Sequence, residues 1–238
     1  DDRLIKLASE GKLKDSGVRS AEALRMLQDP KAQRFSADFT EQWLELHKID
    51  VVNPQDDLLK YSFKKFTGLK PFLRQESIEL FKVILNENLS LLNFIDSDFV
   101  VVNRNTAGLY EVTIPEEKEL PGMADPKDSK MIANDKKERR GEVFRKVMLD
   151  QESVRGGLLT QAGILMMNTN GEFTNPFYRG AWVAKSIYGH ELKVPANLEV
   201  GTLTAPTETF TIKDSINEHR KDPQCASCHS RMDPFGLA

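Results

Sequence analysis

The chain has few cysteines and histidines, no long apolar run and no dominant charge. Its 238 residues include two cysteines, so a scaffold stapled by several disulfides is excluded. Basic and acidic residues nearly balance, 33 against 36, and no Lys/Arg block offers an extended surface for phosphates. We therefore expect no nucleic-acid binding. The apolar runs are far shorter than the roughly 18 to 20 residues of a membrane span, so no transmembrane segment is expected.

Both ends of the chain lack the usual signals. The first residues, "DDRLIKLASEG", contain neither an initiator methionine nor a signal-peptide pattern, and the last residues, "MDPFGLA", resemble the start of a further turn and helix. We therefore expect the chain to be a piece of a longer protein that is cut at both ends.

The first part of the chain, from about residue 4 to residue 92, has a helical pattern, because apolar residues recur at spacings of three and four. Asp29 and Pro30 are expected to be the N-cap and first residue of an amphipathic helix. A second helix is expected near Pro71, packed against the first. Its buried face is predicted to contain Phe72, Gln75, Ile78, Phe81, Val83 and Leu85.

The pattern changes after Ser90. β-branched and aromatic residues in the segment around "FVVV" predict a short strand, and residues 142–149 return to strand-like alternation. Residues 155–172 are predicted to form a helix that starts at the glycines and ends in an Asn-Gly turn. Further helices are expected from Pro176 to Gly189 and in "TIKDSINEHRKD".

These patterns predict a mainly α fold with two domains. A helical domain is expected over residues 1–114. Residues 115–142 are rich in charge, proline and glycine, and are expected to be a solvated loop or insert. A mostly helical domain with short strands is expected over residues 143–238.

The strongest functional signal is "CASCH" at residues 225–229, which uses both cysteines of the chain. Thiols at i and i+3 lie about one helical turn apart and can reach the two vinyl groups along one porphyrin edge. His229 lies on the same side of that turn, where its imidazole can be the proximal iron ligand. The spacing therefore predicts one covalent haem c, held by Cys225, Cys228 and His229.

Two other chemistries remain possible for this stretch. A structural zinc site would use His219 with Cys225, Cys228 and His229, although adjacent ligands strain a tetrahedral site and no second CxxC motif exists. A thioredoxin-like dithiol needs a preceding strand, whereas a helix and a loop are predicted here.

The distal iron position separates two kinds of haem chemistry. Electron transfer usually uses a second axial ligand, whereas oxygen or peroxide chemistry leaves that position open. His219 and Met232 are the candidates nearest to the motif. Further candidates are Met166, Met167, His190 and a residue beyond position 238, although methionines in an apolar run more commonly pack in a core.

Several stretches occur together in a recognisable order. They are "RGGLLTQAGIL", "NPFYRGAWVAKSIYG" and "EHRKDPQCASCHSRMDPFGLA", preceded by "LASEGKL", "MLQDPKAQRFSADFTEQWLEL" and "DSDFVVVN". In order and spacing they resemble the planctomycete-type cytochrome c family, whose members are large secreted chains with several domains, many of unknown function. The resemblance covers nearly the whole chain apart from residues 115–142.

The resemblance implies covalent haem c at the CASCH stretch, a periplasmic or extracellular location, and a longer parent protein. The family also has the pair seen here as His219 and Arg220, which makes His219 the first candidate for the distal ligand or for a contact to a haem propionate. Arg179 and Arg220 are candidates for propionate contacts because those carboxylates need cationic partners.

Three functions are therefore considered. The first is a c-type cytochrome module that passes electrons to a redox partner protein or to other domains of its own chain. The second is a haem-dependent oxidoreductase of the peroxidase or oxygenase kind. The third is a scaffold without haem, in which CASCH binds zinc or forms a disulfide.

Overall fold

The computed structural model describes residues 1–52, 68–114, 143–169, 175–191, 207 and 209–236. The chain divides into two compact units. The N-terminal unit contains the described residues up to 164 apart from 50–52, and the C-terminal unit contains 50–52 and the described residues from 165 onward. Helices dominate these residues and their only sheet has two strands, so the prediction of a mainly α fold is confirmed.

The first part of the chain is helical, as predicted. Its described helices are α1 Asp2–Ser9, α2 Ser16–Leu27, α3 Ala32–Leu44, α4 Lys48–Val51 and α5 Lys70–Asn86. Aspartates begin the first two helices, since Asp1 accepts a hydrogen bond from the Leu4 amide and Asp15 accepts from the amides of Gly17 and Val18. These carboxylates satisfy amides that have no partner within the helix.

The predicted start of α3 is wrong by two residues. The Asp29 carboxylate accepts a hydrogen bond from the Lys31 amide at 2.9 Å, and the Asp29 carbonyl accepts from the Ala32 amide at 2.8 Å. Asp29 and Pro30 therefore form a turn before the helix, which begins at Ala32. The helix ends at Leu44 because Glu45 adopts the left-handed conformation, with φ of 57°.

The packing of α3 against α5 was predicted and is present, through a cluster of aromatic rings. The Phe39 and Phe81 centroids are 5.3 Å apart, and the Trp43 and Phe94 rings meet edge to face at 5.1 Å. Offset and edge contacts of this kind are favourable because the positive edge of one ring meets the negative face of another.

The predicted buried face of α5 is only partly right. Ile78 and Val83 are buried as predicted, but Phe72, Gln75, Phe81 and Leu85 are half-buried. The prediction assigned residues from two sides of the helix to one buried face. The aromatic residues lie at the edge of the core. The buried apolar residues of α5 are Leu73, Ile78, Leu80, Val83 and Ile84.

The two predicted strands are confirmed. Strand β1, Phe99–Val102, pairs antiparallel with β2, Arg145–Met148, and places Val100 opposite Val147. All four side chains of β1 are buried. The strand therefore has protein on both faces, which explains its continuous run of apolar residues.

The helix predicted from residue 155 begins later, at Ala162. Gly156 and Gly157 have φ angles of 138° and 65°, and a Cβ on either would overlap backbone atoms of Ser97 or Ile95. Residues with these φ angles are not helical, so the helix cannot include the two glycines. A 3-10 turn at Leu158–Thr160 and helix α6, Ala162–Met167, follow them. The predicted Asn-Gly end lies outside the described residues.

The C-terminal unit contains helices α7 Pro176–Ser186, α8 Ile212–His219 and α9 Pro223–Gly236. Asn175 caps α7 by accepting from the amides of Phe177 and Tyr178, and Pro176 stands in its first turn, as predicted. Trp182 is buried as predicted, whereas Ile187 is only half-buried. Gly189 follows the end of α7 with φ of 65°.

The sequence predicted that the segment around "MDPFG" starts a new turn and helix, and this prediction is wrong. Residues 232–236 form the end of α9, the same helix that contains CASCH, and Pro234 lies within it. None of the described helices combines the length and hydropathy that a membrane crossing requires. The charged segment 115–142 lies outside the described residues, and the domain limits at 114 and 143 stay predictions.

Glu76 is a carboxylic acid in the core of the N-terminal unit. It lies on α5 with no exposed surface. Burial raises its pKa from 4.5 to about 8, while the Tyr110 side chain acts in the opposite direction. Between these two pH values the folded protein therefore holds a proton that the unfolded chain releases.

We expect the Glu76→Gln variant to lose part of the pH dependence of stability. Below pH 4.5 the carboxyl is protonated in both states, and above that value the free energy of unfolding of the wild-type protein falls until about pH 8. The slope is at most about 1.4 kcal/mol per pH unit. The variant should gain stability relative to wild type over that range, in urea unfolding followed by Trp43 fluorescence in a Trp182→Phe background.

The control is Glu152→Gln, because Glu152 is exposed. It should keep the wild-type slope. Parallel pH profiles for wild type and Glu76→Gln would contradict the burial of an uncharged Glu76.

Candidate functional site

The CASCH stretch lies in the first turns of α9. Pro223 opens this helix, and the preceding Asp222 accepts hydrogen bonds from the Gln224 amide at 2.8 Å and, through its carbonyl, from the Ala226 amide at 2.9 Å. Cys225 and Cys228 are therefore one helical turn apart on one side of α9. Both are half-buried and free, so neither forms a disulfide.

His229 is a buried residue of α9, and a carboxylate one turn later on the same helix contacts its ring. It is 5% exposed, and its Nδ1 is 2.9 Å from Oδ1 of Asp233, which is 2% exposed. The spacing of four residues places both side chains on the same face of the helix. Because Nδ1 is engaged by the carboxylate, Nε2 is the ring nitrogen left for other chemistry.

Two rings pack against His229. The Phe177 centroid is 4.1 Å and the His219 centroid is 4.8 Å from the His229 centroid, and both pairs are edge to face. Phe177 comes from the first turn of α7 and His219 from the last turn of α8. Helices α7, α8 and α9 thus each contribute a ring to one cluster.

The surroundings of His219 favour its neutral form. Partial burial lowers its pKa, and the nearby His229 acts in the same direction, while Asp222 and Asp233 oppose the shift. A neutral imidazole retains the lone pair with which histidine binds metals. His219 is therefore suited chemically to be a ligand.

The second oxygen of Asp233 faces a cation. Its Oδ2 lies 3.6 Å from Nε of Arg220, too far for a hydrogen bond, and has no hydrogen-bond partner within the described residues. Arg220 is exposed. The Asp233 carboxylate thus binds the His229 ring through one oxygen and feels the Arg220 charge through the other.

Helices α7 and α9 approach so closely that glycine is required at two positions. A Cβ on Gly180 would overlap the carbonyl of Met232, and a Cβ on Gly236 would overlap the carbonyl of Pro176. Nε of Arg179 donates to the Gly236 carbonyl at 2.8 Å. Burial lowers the pKa of Arg179, and the guanidinium satisfies a carbonyl at the end of α9.

The other candidate ligands lie on α9 itself, after the end of α7 or in α6. Met232 follows His229 by one turn on α9, with its backbone against Gly180. His190 is exposed after the end of α7. Met166 and Met167 are buried in α6, the environment expected of core methionines.

The donors of the zinc alternative do not come together. All four proposed ligands lie in the described part of the chain, which contains no group of three or more His, Cys, Asp or Glu side chains placed to hold a metal ion. For the dithiol alternative, the element before the motif is helix α8 rather than a strand.

Two residues of the cluster were missed by sequence reasoning. Asp233 follows His229 by four residues, and this spacing could have revealed the contact. Because residues 232–236 were interpreted as a new turn, the two residues were not expected to share a helix. Phe177 gave no comparable signal, because it lies 52 residues before His229 and only the packing of α7 on α9 brings the two together.

Comparisons with protein families agree with the resemblance. Residues 1–112 match the family model PSD4, described as "Protein of unknown function (DUF1592)", and residues 155–238 match PSCyt3, described as "Protein of unknown function (DUF1588)". These families are planctomycete-type cytochrome c domains of unknown function. No curated protein and no solved structure matches the chain significantly.

We expect Gly180→Ala to destabilise the C-terminal unit by roughly 1–3 kcal/mol, because the added methyl forces α7 away from α9. Chemical unfolding followed by Trp182 fluorescence in a Trp43→Phe background measures the change, since Trp182 is buried on α7. The control is Gly108→Ala, whose added methyl meets no atom within 4 Å. Equal stability of the Gly180→Ala and parent proteins would contradict the close helix contact.

Proposed function

We propose that this chain, similar over most of its length to planctomycete-type cytochrome c domains, is a c-type cytochrome module with one covalent haem c. Cys225, Cys228 and His229 would hold the haem. When bound, the haem supplies an iron that takes up and releases one electron. The module would pass that electron to a redox partner protein or to another domain of its parent chain.

The observation that carries the proposal is the position of two free thiols and an imidazole on successive turns of α9. Each thiol would add across one vinyl group, so that sulfur bonds to one vinyl carbon and the thiol proton moves to the other. The addition needs no oxidant. Half-buried thiols can be reached by a porphyrin edge, and a rigid helix holds both at the required spacing.

The environment of His229 fits an iron ligand. A histidine that binds a metal nearly always donates its other ring N–H to a carboxylate, carbonyl or water. Asp233 is such a carboxylate, at 2.9 Å from Nδ1. The donor set of the CASCH helix therefore supports haem chemistry, with Nε2 as the ligating atom.

We favour His219 over Met232 as the distal ligand. Met232 lies one turn from His229 on the same helix, so both side chains leave α9 toward similar directions. A second iron ligand would more readily come from another helix than from the helix of His229. His219 ends α8, and its ring centroid is 4.8 Å from that of His229, so it would be that ligand.

An extracytoplasmic location, periplasmic or extracellular, is part of the proposal. The matched families are associated with cytochrome c-type domains. The two thiols would be consumed by the haem, which suits an oxidising compartment.

A haem oxidoreductase with an open distal position is the second candidate. The buried carboxylate on His229 favours it, because such a partner makes the imidazole a stronger electron donor. Electron-rich axial ligands assist cleavage of the O–O bond in oxygen and peroxide chemistry. The distal ligation state separates this candidate from electron transfer.

We expect the wild-type chain, produced in a host with haem-attachment machinery, to gain the mass of one haem and c-type absorption bands. Cys225→Ala and Cys228→Ala should each keep a single thioether, and the double variant should release its haem under denaturing conditions. Intact mass spectrometry measures attachment. Ser227→Ala, an exposed change within the motif, is the control and should retain the full mass increment. A wild-type protein without this increment would rule out the proposal.

We expect His219→Ala to convert oxidised, haem-loaded protein from a low-spin to a high-spin spectrum, because the distal ligand is lost. Met232→Leu and the exposed control His190→Ala should keep the low-spin spectrum. Absorption and electron paramagnetic resonance spectra report the change. A high-spin wild-type spectrum would favour the oxidoreductase, and loss of the low-spin signal in Met232→Leu would reverse the ligand assignment.

A further inference from the structure

The contact between His229 and Asp233 is more than a surface helix pair. Both side chains are almost fully buried, and Nδ1 and Oδ1 are 2.9 Å apart on adjacent turns of α9. A carboxylate has no proton to donate, so in this contact Nδ1 donates and Oδ1 accepts. The helix backbone keeps both groups in register, because α9 is continuous from Pro223 to Gly236.

We propose that Asp233 is a positioning residue that fixes His229 in its Nδ1–H form and makes Nε2 a strong electron donor. The inference rests on the proposed haem function, because the iron is what would receive this density. An acceptor on the far ring nitrogen orients the imidazole and raises the basicity of the other nitrogen. A more basic ligand stabilises ferric over ferrous iron, so Asp233 would keep the reduction potential of the module low.

The other groups around His229 do not provide this effect. Phe177 offers a ring edge and no hydrogen-bond acceptor, and the His219 ring meets His229 edge to face. Nε of Arg220 lies 3.6 Å from the other oxygen of Asp233. Its positive charge partly offsets that of the carboxylate and does not compete for Nδ1. Among the described residues, the electron-donating effect is therefore assigned to Asp233.

A purely structural role for Asp233 makes different predictions. A helix pair that only stabilises α9 changes the free energy of unfolding when it is removed, and leaves the tautomer and the reduction potential as they were. Two substitutions separate the effects. Asp233→Asn keeps the shape and an oxygen acceptor but removes the charge, whereas Asp233→Leu removes both the charge and the acceptor.

The first measurement uses the full chain without haem. Nitrogen-15 NMR of labelled histidines, assigned with His229→Gln, reports the tautomer of His229. We expect the Nδ1–H form in wild type and in Asp233→Asn, and a mixture of tautomers in Asp233→Leu. An Nε2–H form in the wild-type protein, or an unchanged tautomer in Asp233→Leu, overturns the positioning role.

The second measurement uses the haem-loaded full chain. Replacing Asp233 with Asn should shift the ratio of reduced to oxidised protein by about tenfold at a fixed solution potential, an effect comparable to the lower end of the changes in metal affinity when the hydrogen-bond partner of a ligand is replaced. For a one-electron couple this is a rise of about 59 mV. The control is Glu218→Gln, which removes the same charge from an exposed residue of α8 paired with Lys221.

The outcomes separate the role of Asp233 from the proposed haem function. Equal potentials in Asp233→Asn and Glu218→Gln show an effect of net charge only and overturn the assignment to Asp233. A wild-type chain that carries no covalent haem overturns the proposed function instead, and the tautomer measurement then decides alone whether Asp233 orients His229.

Discussion

The close approach of α7 and α9 is the constraint on which the C-terminal unit depends. Gly180 and Gly236 carry no side chain where a methyl group would overlap the opposite backbone. Arg179 then donates to the carbonyl at the end of α9. Because this contact holds one side of α9 against α7, the helix forms a rigid support whose first turns carry both thiols and whose middle carries His229.

The same packing decides the environment of His229. Phe177 reaches the imidazole only because α7 lies against α9, and His219 is added from the end of α8. The low accessibility of the cluster makes the hydrogen bond to Asp233 stronger than it would be in water, since buried polar contacts are less screened. The hydrogen bond to Asp233 and the ring contacts with Phe177 and His219 together define the surroundings of His229.

Local patterns predicted the parts of the molecule that depend on neighbouring residues. Both strands, the capping of α7 and the packing of α3 on α5 were recognised, because periodicity and capping residues act over a few positions. The errors arose where distant contacts decide. Gly156 and Gly157 looked like a helix start, but their conformations are required by the nearby backbone of Ser97 and Ile95. The turn at Asp29 and Pro30 is an exception, because it is formed by local hydrogen bonds from the amides of Lys31 and Ala32.

The sequence by itself determined the spacing of Cys225, Cys228 and His229, because residues three and four positions apart on a helix share one side at 3.6 residues per turn. It also contained the register of His229 and Asp233, which became visible only once α9 was known to continue through Pro234. Only the tertiary structure decided which rings surround the imidazole. Phe177 and His219 belong to other helices, and no local rule relates them to His229 before those helices pack.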